Sequence, residues 1–281
     1  IRGVGLIRTL AGACGGKLSF TVQQTDDAPD RWKFISERVE AMVKDGLIPR
    51  FGIKEIYGMH NSPGLPVGHF SIKPGPFYAA TDNFTVHLTG KGGHAAYPHR
   101  SVDTTVMGCQ IVTTLQTIAS RSADPLESLV VSVTSFKTES EAWNVIPERV
   151  ELRGTVRTFD AGIRKMAEDR FHTIVNSTAQ AFGGSAEIIW TPGYPSMVNA
   201  ETETDYAIAV AEKIGGPGSV DANCPAIMGG EDFAYMLQEK PGCYLFIGNG
   251  EGSHREAGHG MGPCMLHNPS YDFNDQLMHG R

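Results

Sequence analysis

Cysteine is sparse in this chain, and no two cysteines are close in sequence. Five cysteines are scattered over 281 residues, without a CxxC pair. Such an odd, dispersed set argues against a disulfide framework, because frameworks need an even number of cysteines at regular spacings. We therefore expect a protein of the reducing cytoplasm.

The sequence also lacks an excess of positive charge and any long apolar run. The formal net charge is −7, from 24 basic and 31 acidic residues, so no basic surface favours a nucleic-acid partner. No apolar run is long enough to span a bilayer, and the first residues do not have the pattern of a signal peptide. We expect neither a nucleic acid nor a membrane as a partner. A GxSxG motif, typical of serine esterases, is missing as well.

The first part of the chain has the pattern of a βαβ unit. Strand, helix and strand patterns follow one another over residues 17–61, which indicates a mainly parallel sheet. Ligands bind beyond the carboxyl ends of parallel strands, and Asp26, Asp27 and His60 fall there. The Gly- and Pro-rich stretch 63–76 predicts a linker or loop.

The middle of the chain has the pattern of an inserted domain. Its elements follow the order β-α-β-β-α-β over residues 80–192, which is typical of the split ferredoxin-like unit. The apolar residues of its third strand, 149–159, alternate with Arg153, Thr155 and Arg157, which would point from the open face of the sheet. On one side of its first helix, 101–120, the pattern places Val102, Val106, Cys109 and Leu115.

The simplest layout is an α/β protein with one discontinuous domain. Residues 1–79 and 193–281 would form that domain, and residues 80–192 the insert. We find no internal repeats and no low-complexity segment.

Three histidines and one acidic pair lie in polar loops. His60, His94 and His267 each lie near Gly, Asn or Pro, but a lone loop histidine is usually just a solvated side chain. Asp26 and Asp27 form a polar turn in the simplest interpretation. Adjacent carboxylates after a strand can also divide metal binding and general-base catalysis between them. Spacing alone leaves both interpretations open.

Several short segments match motifs of one enzyme family, in the order in which that family has them. They are His60–Gly68 (HNSPGLPVG), Gly90–His99 (GKGGHAAYPH), Asn144–Pro147 (NVIP), Arg153–Arg157 (RGTVR), Gly229–Phe233 (GGEDF) and Leu266–Pro269 (LHNP). The chain resembles the metal-dependent amidohydrolases and zinc metallopeptidases that include aminoacylases, hippurate hydrolases and auxin-conjugate hydrolases. This resemblance implies a zinc-peptidase-like αβα domain with an inserted ferredoxin-like lid, through which the protein forms a homodimer.

The resemblance also implies a divalent-metal centre of the kind used in two-metal hydrolysis. By position, Asp27, His60 and His267 correspond to metal ligands and Asp26 to the general base. Zn, Mn, Co and Ni all suit such histidine and carboxylate ligands. The implied reaction is hydrolysis of the amide bond of N-acyl amino acids or small peptides with a free carboxylate.

Three residues of the insert correspond to the family's substrate-contacting positions. His94 would stabilise the oxyanion in the active site of a neighbouring subunit. Asn144 would hydrogen-bond the substrate, and Arg157 would pair with its carboxylate.

One family motif has no counterpart in this sequence. The family's His-Ala-Cys-Gly-His-Asp segment supplies a metal-bridging cysteine and a further histidine ligand, whereas Cys14 lies between Gly12-Ala13 and Gly15-Gly16. Each metal would then have fewer than the three protein ligands of an ordinary catalytic zinc site. We therefore expect the metal to bind weakly or not at all. Two alternatives therefore stand beside the hydrolase: a degenerate member that binds ligand without catalysis, and a metal-independent esterase using the same cleft.

Overall fold

A computed structural model describes residues 39–251 together with residues 266, 271 and 274. The candidate residues Asp26, Asp27 and His267 lie outside these described residues. His60, His94, Asn144 and Arg157 lie within them.

Packing divides the chain into two compact units. The first consists of Ile1–Phe77, Met197–Ile227 and Asp232–Arg281, and the second of Tyr78–Ser196 and Met228–Glu231. The strands are β1 Ile56–Ser62, β2 Phe70–Ser71, β3 Gly75–Tyr78, β4 Ala80–Thr89, β5 Gly93–His94, β6 Leu129–Thr138, β7 Val145–Ile146, β8 Arg149–Thr158, β9 Ser185–Pro192, β10 Met197–Asn199, β11 Val220–Asp221 and β12 Gly242–Gly248. The α-helices are α1, described over 39–44, α2 Leu47–Arg50, α3 Thr104–Thr117, α4 Ala161–Ala181, α5 Glu201–Gly215 and α6 Ala234–Glu239.

The first unit contains a four-stranded sheet in the order β1-β12-β2-β11. Strands β1 and β12 run parallel, with His60 opposite Phe246, so both strands end at the same edge of the sheet. The prediction that 63–76 is a linker or loop is wrong in part, because this stretch contains β2 and the start of β3. Phe70 is buried and pairs with both β11 and β12, and this tertiary pairing is not visible in local composition.

The second unit contains an antiparallel sheet in the order β6-β8-β4-β9. Helices α3 and α4 cover one face of this sheet, and their apolar residues share one core with β4, β6 and β8. Asp103 and Asp160 begin the two helices by accepting backbone N–H bonds. The predicted ferredoxin-like β-α-β-β-α-β order is therefore confirmed, and with it the α/β class.

The alternation predicted for β8 is also confirmed. Val150, Leu152 and Val156 are buried against the helices, whereas Arg153 is exposed and Arg157 half-buried on the opposite face. The open face of the sheet is therefore polar.

The buried side predicted for the first insert helix is wrong in part. Val106 is 52% exposed and Cys109 is exposed, while Met107 and Ile111 are fully buried. Residues 107, 111, 115 and 118 form the buried stripe instead, with the spacing of one helix face. Of the described residues, no helix is long and apolar enough to cross a membrane.

Candidate active-site residues

His94 and Asn144 are brought side by side by a short strand pair in the second unit. Strand β5 pairs antiparallel with β7, so that His94 lies opposite Val145. The backbone N–H of Ala95 donates to the carbonyl oxygen of Asn144 at 2.9 Å. Two segments that are fifty residues apart in sequence therefore meet at one point.

A groove of about 350 Å³ opens at this strand pair. It is lined by Gly92, Gly93, His94, Glu139, Asn144, Val145, Ile146 and Glu148. The two glutamates were not predicted as site residues. The backbone N–H of Glu148 donates to Glu139 Oε1 at 2.8 Å, and this bond closes the loop that carries Asn144. The only sequence signal for Glu139 and Glu148 is that they are acidic and flank the NVIP motif.

The hydrogen bonds of His94 decide which of its ring nitrogens carries the proton. The backbone N–H of Ala96 donates to His94 Nδ1 at 3.1 Å. Nδ1 must supply a lone pair to accept this bond, so the proton of the neutral ring is on Nε2. His94 is exposed and therefore presents an N–H donor at Nε2.

His60 has the opposite arrangement in the first unit. Its Nδ1 lies 2.8 Å from the carbonyl oxygen of Asn61, and a carbonyl oxygen can only accept. Nδ1 therefore carries the proton and Nε2 the lone pair. The ring is half-buried, and its centroid lies 6.3 Å from the ring centroid of Tyr244 and 6.1 Å from that of Phe246. A histidine that donates from Nδ1 to a backbone carbonyl is oriented for metal binding through Nε2.

Arg157 is a half-buried cation on the open face of the second unit's sheet. Burial lowers the pKa of its guanidinium, and the nearby Asp82 carboxylate acts in the opposite direction. Both carboxylate oxygens of Asp82 accept hydrogen bonds from Arg164, Oδ2 from Nε at 2.8 Å and Oδ1 from Nη2 at 2.5 Å. The side chain of Arg157 has no hydrogen bond or ion pair within the part of the chain that is described, so its donors suit an anionic ligand.

The sequence pattern of peptidase family M20/M25/M40 matches residues 36–260. The chain belongs to this family. The resemblance inferred from the motifs is therefore confirmed.

Relatives of this M20 chain are named hydrolases. The N-acetyl-L-cysteine deacetylase of Bacillus subtilis (strain 168) is 38% identical over 76% of this chain and 50% of its own length. The hippurate hydrolase of Campylobacter jejuni is 30% identical over 85% of this chain and 59% of its own length. The chain thus spans about half the length of these curated relatives.

A solved structure of the family has the same fold. The YXEP protein of Bacillus subtilis, a dinuclear metal-binding peptidase of the M20 family, superposes with a TM-score of 0.67 at 28% identity. The match covers 85% of this chain and 57% of that protein.

The metal site that the motifs imply for this M20 chain is not assembled within the described residues. Among them, no group of three or more His, Cys, Asp or Glu side chains is placed to hold a metal ion. His60 fits a ligand role by its tautomer. The other two predicted ligands, Asp27 and His267, lie outside the described residues, so His60 is the predicted ligand whose surroundings can be described.

Proposed function

We propose that this M20 chain hydrolyses the amide bond of N-acyl amino acids or small peptides with a free carboxylate, with a divalent metal as cofactor. The observation that carries the proposal is the hydrogen bond from the Ala96 N–H to His94 Nδ1, which leaves Nε2 as the donor of the neutral ring beside Asn144 at the groove. An N–H donor held ready before reaction is what an amide-hydrolysing site needs, because negative charge develops on the carbonyl oxygen in the transition state.

Asp27, His60 and His267 would hold the metal in this proposal. Zn, Mn, Co and Ni remain candidates, because nitrogen and carboxylate ligands accept each of them. A bound divalent ion supplies Lewis-acid polarisation of the amide carbonyl and an acidified water. Asp26 would take the proton of that water and return it to the leaving amine nitrogen.

The second unit would bind and orient the substrate. His94 would donate from Nε2 to the oxyanion, Asn144 would hydrogen-bond the substrate, and Arg157 would pair with its carboxylate. As in the expectation from sequence, we propose a homodimer through this unit, in which His94 serves the neighbouring subunit's site.

Metal content and turnover, measured on one sample, test the proposal. Elemental analysis with intact mass should find bound metal in the purified protein. A panel of N-acetyl amino acids and dipeptides should be hydrolysed, and chelator or Asp26→Asn should abolish this turnover. Re-addition of Zn²⁺ or Mn²⁺ should restore it after chelation but not in Asp26→Asn.

Two other outcomes would replace the proposal. Saturable binding of an N-acyl amino acid, with neither metal nor turnover after dialysis against Zn²⁺ or Mn²⁺, would make the chain a non-catalytic ligand-binding member. Chelator-resistant turnover together with labelling by a serine-directed phosphonate would make it a metal-independent esterase.

Replacing Arg157 should weaken binding of substrates that have a free carboxylate. Charged hydrogen bonds from an arginine are strong, so Arg157→Gln should raise KM about 10- to 100-fold. Arg157→Lys should recover only part of this loss, because an ammonium cannot pair with both carboxylate oxygens as a planar guanidinium does. Initial rates with an N-acetyl amino acid provide the measurement.

Two controls separate carboxylate recognition from general damage. Arg153 lies four residues earlier on the same face of β8, is exposed and pairs with Glu151 at 2.8 Å. Arg153→Gln should leave KM unchanged. The same substrate with its carboxylate converted to an amide should bind the parent and Arg157→Gln equally. If Arg157→Gln leaves KM for the free acid unchanged, Arg157 does not bind the substrate.

A further inference from the structure

The exposed turn after His94 is tied to that histidine at several points. The N–H of Tyr97 donates to the carbonyl oxygen of His94 at 2.8 Å, and the N–H of Ala96 donates to its ring. The ring centroid of Tyr97 lies 5.7 Å from that of His94, with the planes inclined at 56°. This distance is within the range of favourable aromatic pairs. The turn therefore restrains both the backbone and the ring of His94.

Burial does not explain the position of the Tyr97 side chain in the turn. Its side chain is 52% exposed, so the hydrophobic effect alone is a weak reason for a fixed position. Its ring pairs with the rings of His94 and His99 and also contacts Arg100. The guanidinium carbon of Arg100 lies 5.4 Å from the ring centroid, within cation–π distance. A short 3-10 turn, Pro98–Arg100, holds Arg100 in place.

We propose that Tyr97 is a positioning residue for His94, itself held by Arg100, and that it keeps the His94 ring where the Ala96 N–H reaches Nδ1. The catalytic meaning of this role rests on the proposed function. The ring geometry is a property of the turn, and it can be measured whether or not the chain turns over a substrate.

Nuclear magnetic resonance of the full chain with ¹⁵N-labelled histidine reports the positioning directly. Long-range ¹H–¹⁵N spectra at neutral pH distinguish Nε2–H from Nδ1–H rings. In the parent protein, His94 should show a fixed Nε2–H pattern and His60 the opposite pattern. Tyr97→Ala should give His94 the averaged pattern of an unrestrained imidazole that exchanges between its two tautomers, and leave His60 unchanged. Tyr97→Phe, which keeps the ring, should preserve the parent pattern.

Kinetics of the same variants test the consequence for catalysis. Tyr97→Ala should lower kcat about three- to tenfold with KM unchanged, as expected for loss of one aromatic contact that orients a transition-state donor. Tyr97→Phe should restore kcat. Arg100→Gln should lower kcat by less than Tyr97→Ala does, because it removes only the support of the ring. Phe182→Ala, another truncation of a partly exposed aromatic in the same unit, should change neither spectrum nor rate.

The two measurements keep failure of this inference separate from failure of the proposed function. A fixed Nε2–H pattern for His94 in both Tyr97→Ala and Arg100→Gln would overturn the positioning role, whatever the kinetics. An averaged pattern in Tyr97→Ala in a chain whose parent has no turnover would support the positioning role and count against the hydrolase. If Tyr97→Ala does not fold, the Arg100→Gln spectrum decides.

Discussion

Replacing His94 with alanine should lower kcat for an N-acyl amino acid about 10²- to 10³-fold, while KM changes little. This is the loss found when one preorganised donor to a developing oxyanion is removed. The structure supplies the reason for expecting a donor: His94 Nδ1 already accepts the Ala96 N–H at 3.1 Å, so the neutral ring has its proton at Nε2. Steady-state rates over a substrate series provide the measurement.

The effect should follow the donor rather than the bulk of the side chain. His94→Gln keeps an N–H group on a side chain of similar length and should therefore fall between the parent and His94→Ala. His99 lies in the same exposed turn, with its ring centroid 6.3 Å from that of Tyr97, but it does not line the groove, so His99→Ala should lower kcat far less than His94→Ala does. A His94→Ala protein that keeps the parent kcat and melting temperature would remove His94 from the chemistry.

The ferredoxin-like unit was predictable because its strands have one buried and one open face. Val150, Leu152 and Val156 alternate with charged and polar residues, and this period of two is visible in the sequence. The same alternation placed Arg157 correctly on the open face. Long-range packing was not needed for either prediction.

The buried face of α3 was not predictable from apolar residues alone. Gly108 faces the core side, where an added Cβ would lie 2.8 Å from the ring of Phe136. The helix therefore packs closely at a residue that has no side chain, and Val106 is left exposed. A pattern of apolar positions cannot register a contact that depends on the absence of a side chain.

The sequence motifs name candidate site residues but not their chemical states. The motifs pointed to His60 and His94 as functional histidines, yet their opposite tautomers depend on the carbonyl of Asn61 and the amide of Ala96. These backbone groups approach the rings only after the strand and the turn have formed. Sequence motifs name side chains, whereas the protonated nitrogen is decided by local backbone geometry.

Replacing Asp82 with alanine should destabilise the protein by about 3–5 kcal/mol, because it leaves the guanidinium of Arg164 without its carboxylate. Asp82 is 2% exposed and accepts from Arg164 Nε at 2.8 Å and from a terminal nitrogen at 2.5 Å. This pair joins the start of β4 to helix α4. Urea or thermal unfolding, followed by circular dichroism, measures the loss.

A second ion pair on the same helix provides the matched control. Lys165 and Asp169 pair at 2.6 Å but are 67% and 61% exposed, so water and salt screen their attraction. Asp169→Ala should leave the unfolding midpoint unchanged. Replacing both members of the buried pair, as Asp82→Leu with Arg164→Met, should recover much of the stability lost in Asp82→Ala, because neither member of the pair is then left without its partner. Equal, small losses for Asp82→Ala and Asp169→Ala would show that the buried pair does not hold β4 to α4.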